Sequence, residues 1–404
     1  MRKGYIRRMA ATPTSSVVAG LREDLQTSPL PGRLMSLDIY RGLAVAGMII
    51  VDNPGSDEHA YWAIKHAEWN GLTPADLIFP SFLFLVGISL VFSTASRLQR
   101  GETHRQILLH ALKRSLLLIA IGLLVNGSPF YGIDFHTYRF EGVTQRIGLC
   151  YLVAAILELY LGRRWQIAAL AACLVGYWAL LRFVPVPGAG TPGHEIAFMD
   201  QVQNLPAWLD RKLFMGHLYD GTRDPEGIIH TIPAIGTTLI GVLTGHWLRA
   251  RKGAGTMLAW MLAFGVIGLI AGKVWDVTFP INKNLWTSSF VLFTGGFALI
   301  FLALLYWIFE LKKWRGGWTM PILVLGMNAI AGFVADSFVY GPGYTFTANG
   351  PNGQRMNWHE AAQAHLEGTG LGVANASLGY SLGALAFCWF ILWLLWRKRI
   401  FLKA

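Results

Sequence analysis

The sequence predicts an all-α membrane protein: a polytopic transmembrane bundle of about ten helical spans with both termini cytoplasmic. Three observations lead there. Only 14% of the residues are charged and 53% are hydrophobic, whereas a soluble domain carries about 25% charged residues. The apolar residues gather in repeated runs of about 20, the length at which a helix crosses a hydrocarbon core. The breaks between runs alternate between short basic segments and long polar, aromatic ones.

In chain order, residues 1–32 are rich in Arg, Ser, Thr and Pro and lack apolar periodicity. They predict a disordered cytoplasmic tail ahead of a transmembrane domain over 33–404. Without an apolar h-region the tail does not read as a signal peptide, and Met9 and Met35 offer alternative starts. Spans are expected at 36–53, 78–97, 106–126, 143–161, 165–184, 229–248, 256–275, 285–309, 318–338 and 373–396. The breaks SRLQRGETHR, GRRW, RARKG and ELKKWRGG and the C-terminal WRKRIFLKA are basic. Positive charge marks the cytoplasmic side, and this assignment puts most of the 34 Lys and Arg residues there. Lys113 and Arg114 interrupt the third run, so its first turns belong at the interface.

The long breaks at 54–77, 127–142, 185–228 and 339–372 then lie outside, and the last two read as lids over the bundle. Trp208, His217 and Tyr219 in the first lid suit contact with a sugar. The break at 276–284 is short. Topology accounts for the net charge of +11, so the partner is a lipid bilayer rather than nucleic acid; a homo-oligomer is compatible. Cys150, Cys173 and Cys388 fall inside apolar runs without metal-ligand spacing and read as packing residues.

Polar residues collect at the outer ends of several spans. Asn53, His66, Glu68, Asn70 and Asp76 surround the first loop, and Arg146 in GVTQRIG opens span four. Asp224 and Glu226 in RDPEG precede span six, and Lys283 and Asn284 in NKNLW precede span eight. Ionisable groups at a membrane cost free energy unless paired or used, and convergent polar groups in a cavity make a candidate site. Each also has a plainer reading. Asp76 can be a helix N-terminal acid, Asn70 a turn former, Lys283 a snorkelling anchor, and Arg146 a partner of Glu141. Glu158, an acid inside span four, receives no role.

The chemistry that fits these types is acyl transfer. A neutral His takes a proton from an attacking amine or hydroxyl, an Asn amide donates to an oxyanion, and a carboxylate orients the His. GxSxG, CxxC, HExxH and GxxxxGK[ST] are all missing, which disfavours a serine hydrolase, a zinc enzyme and ATP-driven transport. A sugar permease is the competing class, although no paired half-helix breaks are visible. A scaffold role does not explain the polar convergence.

SLDIYRG, MIIVDN and KHAEWNGLTPADLIFPSFLF resemble the heparan-α-glucosaminide N-acetyltransferase family. The resemblance continues through DPEGIIHTIPAIGTTLIGVLTG and PINKNLWTSSFVLFTGG, and so covers most of the chain from Arg33 onward. It implies acetyl-CoA as cytoplasmic donor, an amino-sugar acceptor outside, and a bacterial inner-membrane location. It also implies His66 as the catalytic histidine with Asn53 as its partner. The loop is about two residues longer than in lysosomal members, so either Asp52 or Asn53 takes the Asn place. Either Asp76 or Glu68 holds the imidazole. The phosphates of CoA need Arg or Lys; Arg41 and Arg114 are the expected cofactor-binding residues, with Arg97 and Lys113 as further candidates. Asp38, one turn before Arg41, equally makes that arginine half of a structural ion pair. Substrate contacts fall to Asn70, Arg146, Asp224, Glu226, Lys283 and Asn284.

Overall fold

The apolar runs form helices at every expected place, with ends within three residues of the sequence boundaries except in span nine and beyond span eight. The computed structural model describes residues 34–250 and 253–402; the expected disordered tail lies outside them. From Ser36 onward the chain forms one compact unit. The helices are α1 (Met35–Asp52), α2 (Ile78–Gln99), α3 (His104–Asn126), α4 (Val143–Tyr160), α5 (Arg163–Phe183), α6 (Leu205–Phe214) and α7 (Thr231–Arg249). They continue as α8 (Ala254–Asp276), α9 (Ser288–Tyr306), α10 (Met320–Met327), α11 (Ala329–Thr345), α12 (Trp358–Gly368) and α13 (Val373–Arg397). A π-helical turn, Trp307–Leu311, extends α9. A short antiparallel hairpin pairs β1 (Thr347–Asn349) with β2 (Arg355–Asn357).

Among the described residues, seven helices are long and apolar enough to cross a membrane, and an eighth crossing follows if α10 and α11 count as one. The other two expected spans are helices as well, but more polar ones. α1 carries Asp38, Arg41 and Asp52, and α7 carries His246 and Arg249 with four threonines. Asp38 and the four threonines are buried inside the molecule, whereas Arg249 is exposed.

Span nine departs from expectation. In place of a continuous helix over 318–338, α10 and α11 meet at a 79° bend. Asn328 sits at the corner with φ −129° and ψ 44°. Its amide donates to Ile400 O at 2.9 Å and accepts from Leu402 N at 3.0 Å, so the chain end ties down the break. One broken span is therefore present where a continuous helix was expected, without a paired counterpart among the described residues.

Two packed groups flank a seam. α1, α10, α11 and α13 share one apolar cluster around Val45, Ile49, Val324 and Cys388. α2, α4, α5, α7 and α9 share another around Leu83, Leu174, Ala234 and Phe290. α2 and α7 touch backbone to backbone because Gly87 faces Thr238 O and Gly241 faces Phe84 O, each at 2.1 Å from where a Cβ would stand. Small residues permit this approach between membrane helices. Glu158 finds its partner here: its Oε2 lies 2.7 Å from His246 Nε2, joining α4 to α7.

Candidate active site

The loop between α1 and α2 is pinned on three sides. Ser56 N donates to Ser377 Oγ on α13 at 3.1 Å, Gly71 N donates to Ile281 O at 2.8 Å, and Trp69 Nε1 donates to Met199 O at 3.0 Å. The last contact ties it to the 185–228 segment, where Arg223 also lies 4.5 Å from the Trp69 ring centre. An irregular, polar stretch is thereby held rigid next to the bundle.

Asp76 serves two purposes within this loop. Its Oδ2 accepts from Ala67 N, Thr73 N and Thr73 Oγ1 at 3.0–3.2 Å. Its Oδ1 lies 2.8 Å from His66 Nδ1. The plain reading as a helix-start acid and the functional one are thus both met, one oxygen each. Glu68 is exposed, so Asp76 is the carboxylate at the imidazole. With Nδ1–H donating to Asp76, the Nε2 lone pair is left to accept a proton. The His66 side chain is 43% exposed, whereas that of Asp76 is fully buried.

Lys283 Nζ stands 3.1 Å from both ring nitrogens of His66 and 3.7 Å from Asp76 Oδ1. Equal distances to both nitrogens describe a charge beside the ring rather than a bond directed at one lone pair. Lys283 therefore points into the site and does not anchor at an interface. Burial pulls its ammonium down from the usual lysine range, against the opposing pull of Asp76, Glu226 and Asp52.

Asp224 and Glu226 converge on a residue that the sequence reading passed over, Arg139. Asp224 takes it bidentately, Oδ2 from Nε at 2.7 Å and Oδ1 from Nη2 at 2.5 Å. Glu226 Oε2 accepts from the same Nη2 at 2.5 Å. Burial works to raise the Glu226 carboxyl, but Arg139, Arg146 and Lys283 outweigh it and hold it below the usual range. Arg146 does not pair with Glu141. Its Nη2 donates to Pro225 O at 2.8 Å and Gly227 O at 3.2 Å, while its guanidinium lies 5.2 Å from the Trp286 ring centre. It supports the DPEG turn from below. Asn70 Oδ1 accepts from Asn282 Nδ2 at 3.2 Å, so Asn282, not the half-buried Asn284, is the asparagine that meets the loop.

Asn53 is 1% exposed. Its amide nitrogen donates to Ile49 O at 2.9 Å and to Asp336 Oδ1 at 2.6 Å. Both hydrogens are committed, which corrects the expectation that it donates to an oxyanion. In this geometry it ties the end of α1 to α11. Of the lid aromatics, Tyr219 stacks its ring 4.6 Å from the Arg139 guanidinium, and His217 Nδ1 meets Tyr138 O at 2.8 Å.

The expected donor residues line a cavity of about 480 Å³ in the seam. Arg41, Arg97, His110 and Arg114 stand at one end, and Phe82, Val143 and Thr144 at the other. From Arg97 to Phe82 the wall of α2 runs about 22 Å at 1.5 Å rise per residue, and Asp76 lies in the 3-10 turn Pro74–Leu77 that leads into α2. Arg41 is held by Asp38 Oδ1 at 3.3 Å and Ser89 Oγ at 3.0 Å, so it is an ion-pair member as well as a cavity wall. The Nε atoms of Arg97 and Arg114 are buried without a partner. Lys113 is exposed and outside the lining.

Residues 33–272 match the family described as "Heparan-alpha-glucosaminide N-acetyltransferase, catalytic". The chain belongs to the heparan-α-glucosaminide N-acetyltransferase family. Among proteins of this family, the human heparan-α-glucosaminide N-acetyltransferase is 32% identical over 93% of this chain and 60% of its own length. The mouse protein of the same name is 33% identical over 75% of this chain and 53% of its own length. The chain thus spans little more than half the length of these N-acetyltransferases. The family match ends at residue 272, so Lys283 and Asp336 lie beyond it.

Proposed function

We propose that this protein is a membrane-embedded acetyltransferase that passes an acetyl group from acetyl-CoA to the amine of a glucosamine-type sugar. The arrangement that carries this reading is the Asp76–His66–Lys283 cluster at the head of α2, with an arginine-ended cavity leading towards it. The phosphates of CoA suit Arg41, Arg97 and Arg114, and the Nε groups of Arg97 and Arg114 are buried without a protein partner. The thioester arm follows the seam towards Phe82. By charge distribution the donor end faces the cytoplasm and the acceptor end faces outside, which fits a bacterial inner membrane.

At the site, His66 Nε2 takes the proton from the acceptor nitrogen as it attacks the thioester carbonyl. Asp76 stabilises the imidazolium that forms. Lys283 is the donor nearest the reacting centre and stabilises the oxyanion, the role left open by Asn53. The half-exposed His66 favours direct transfer in a ternary complex, because an acetyl-imidazole at such a position is open to water. The alternative is ping-pong transfer through acetylated His66. Incubation of the purified protein with labelled acetyl-CoA and a panel of amino sugars tests the activity. Label held on His66 before sugar is added, and then passed on at the turnover rate, overturns direct transfer.

The second reading, a sugar permease, gains one observation: the bend at Asn328, since transporters build sites at broken helices. Uptake of labelled amino sugar into proteoliposomes without acetyl-CoA, together with no transfer in the first assay, would establish it instead.

A further inference from the structure

The turn that ends α13 feeds the corner of the broken span. Ile400 N donates to Leu395 O and Arg399 N to Trp396 O, each at 2.9 Å, the two bonds that close a helix end in a Schellman turn. Arg399 takes the left-handed place of that turn at φ 56°, where glycine is favoured. The chain so reversed meets Asn328 between α10 and α11. Asn328 is 1% exposed and stands at the N-cap of α11. An asparagine there ordinarily turns its side chain onto its own helix, but this one makes no such bond. Both ends of its amide go to main-chain groups of the returning segment. Nδ2 donates to Ile400 O at 2.9 Å, and Oδ1 accepts from Leu402 N at 3.0 Å. The side chain that could cap α11 is committed to residues 72 and 74 positions away.

That corner is a wall of the arginine-ended cavity. Gly326, Met327, Ala329, Ile330 and Phe333, on both sides of Asn328, line it, and Leu402 joins them from the returning segment. Before the bend, α10 lies backbone to backbone on α1. A Cβ on Gly326 would run into Asp38 O and Gly42 N, and one on Gly42 into Ile322 O. These contacts bracket Arg41, which lines the same cavity. After the bend, α11 is held by Asn53 at Asp336, and a Cβ on Gly332 would stand 2.9 Å from Val45 Cγ1. Each half-helix thus has its own seat on α1, and one amide fixes the corner between them. A helix break leaves end carbonyls and amides without regular partners, so its angle depends on what holds it from outside. We propose that Asn328 and the 400–402 segment form a clasp that holds this corner as a wall of the donor cavity and so sets the affinity for the acyl donor; this rests on the acetyl-transfer reading above. Asn328 acts as a positioning residue, since its polar atoms face the clasp. His66 is held by Asp76 within its own loop, so the clasp acts on the donor and leaves the acceptor alone.

The test compares the wild type with Asn328→Ala, Leu402→Pro and the double variant, by isothermal titration with CoA and by steady-state kinetics with acetyl-CoA and glucosamine. Proline at 402 has no N–H to offer Asn328 Oδ1. Each single variant should raise Kd for CoA and KM for acetyl-CoA by about tenfold, with kcat and the glucosamine KM within about twofold of wild type, on the order of effects from residues that touch neither ligand. The double variant should bind CoA no more weakly than the weaker single one, because both changes open one clasp. Leu402 is exposed in a segment outside the helices, so its variant carries the test if Asn328→Ala does not fold. A lower melting temperature with unchanged CoA affinity makes the contact a structural tie and overturns the clasp, while leaving acetyl transfer in place. Losses that multiply in the double variant, or an equal rise in the glucosamine KM, overturn it too. Wild-type protein that neither binds CoA nor transfers acetyl removes the acetyl-transfer reading and the clasp with it.

Discussion

Asp76 Oδ1 lies 2.8 Å from His66 Nδ1, while the other oxygen of the same carboxylate gathers three donors of the preceding loop. The base and the loop that presents it are therefore held by one side chain. Replacing Asp76 with Asn leaves a similar shape but lets an NH2 face the ring, which selects the wrong tautomer. The expected result is a fall in kcat by about 100- to 10,000-fold with KM for acetyl-CoA unchanged, and His66→Ala should match it. Steady-state kinetics on both variants check this, and wild-type turnover by either would refute the assignment.

Lys283 and Asn53 should separate in their effects. Lys283→Gln removes the charge beside the reacting centre and should cost about 100- to 1,000-fold in kcat, as loss of an oxyanion donor does. Asn53→Ala leaves Asp336 without a buried donor and should act mainly on stability, by about 1–3 kcal/mol. Thermal unfolding in detergent beside kinetics distinguishes them. A stable Asn53→Ala protein with a purely catalytic defect would restore Asn53 to the oxyanion.

The helices were legible in the sequence because apolar runs of membrane length leave little choice of structure. The break at Asn328 was not, because what holds it is Ile400 and Leu402, more than seventy residues away. In the site, His66, Asp76, Asp224, Glu226 and Lys283 stood out as polar types at span ends, and the structure gathers them. Arg139 carried no signal, being one basic residue in an aromatic break whose two acid partners lie 85 and 87 positions on. Asp336 did carry one, a lone acid inside an apolar run, as did Glu158. Asn282 and Asn284 differ by two positions, and only the turn geometry says which faces Asn70.

The donor cavity makes a separate claim on Arg41 and Arg114. Charge reversal at both, to Glu, should raise KM for acetyl-CoA by at least tenfold and leave the acceptor KM alone, because charge-assisted bonds to a phosphate contribute about 1.5–3 kcal/mol each. Isothermal titration with CoA checks the same point without turnover. Unchanged CoA affinity would move the phosphates elsewhere.

The topology follows from charge and is open to chemical labelling. Single cysteines placed at Gln201, in the first long lid, and at Gly253, between α7 and α8, should differ in sealed cells. An impermeant maleimide should reach position 201 from outside and reach position 253 only after permeabilisation. Outside labelling at 253 would invert the bundle and with it the sides of donor and acceptor.

Beside the Arg139 network lies a carboxyl that resists ionisation. Glu141 is 8% exposed and its Oε2 is buried without a partner. Burial pushes it up to about 8, with the Asp210 and Asp224 carboxylates adding to the rise and Arg146 and Arg139 opposing it. Asp210, fully buried and close to Gly227, is pushed up to about 7 mainly by burial, for the same reason. In the unfolded chain both ionise near the ordinary carboxylate range of about 4. A group whose folded value is the higher one binds more protons when folded, so its contribution is present at low pH and lost as pH rises. Stability should therefore decline between about pH 4 and pH 8 through these two residues. Glu141→Gln, which keeps the protonated shape, should flatten that decline and raise the apparent Tm at pH 8 relative to wild type. At pH 5, where Glu141 is already protonated, the two proteins should melt together. Thermal scans in detergent at the two pH values decide it, and a variant that is less stable at pH 8 would show that Glu141 is held there as a paired carboxylate.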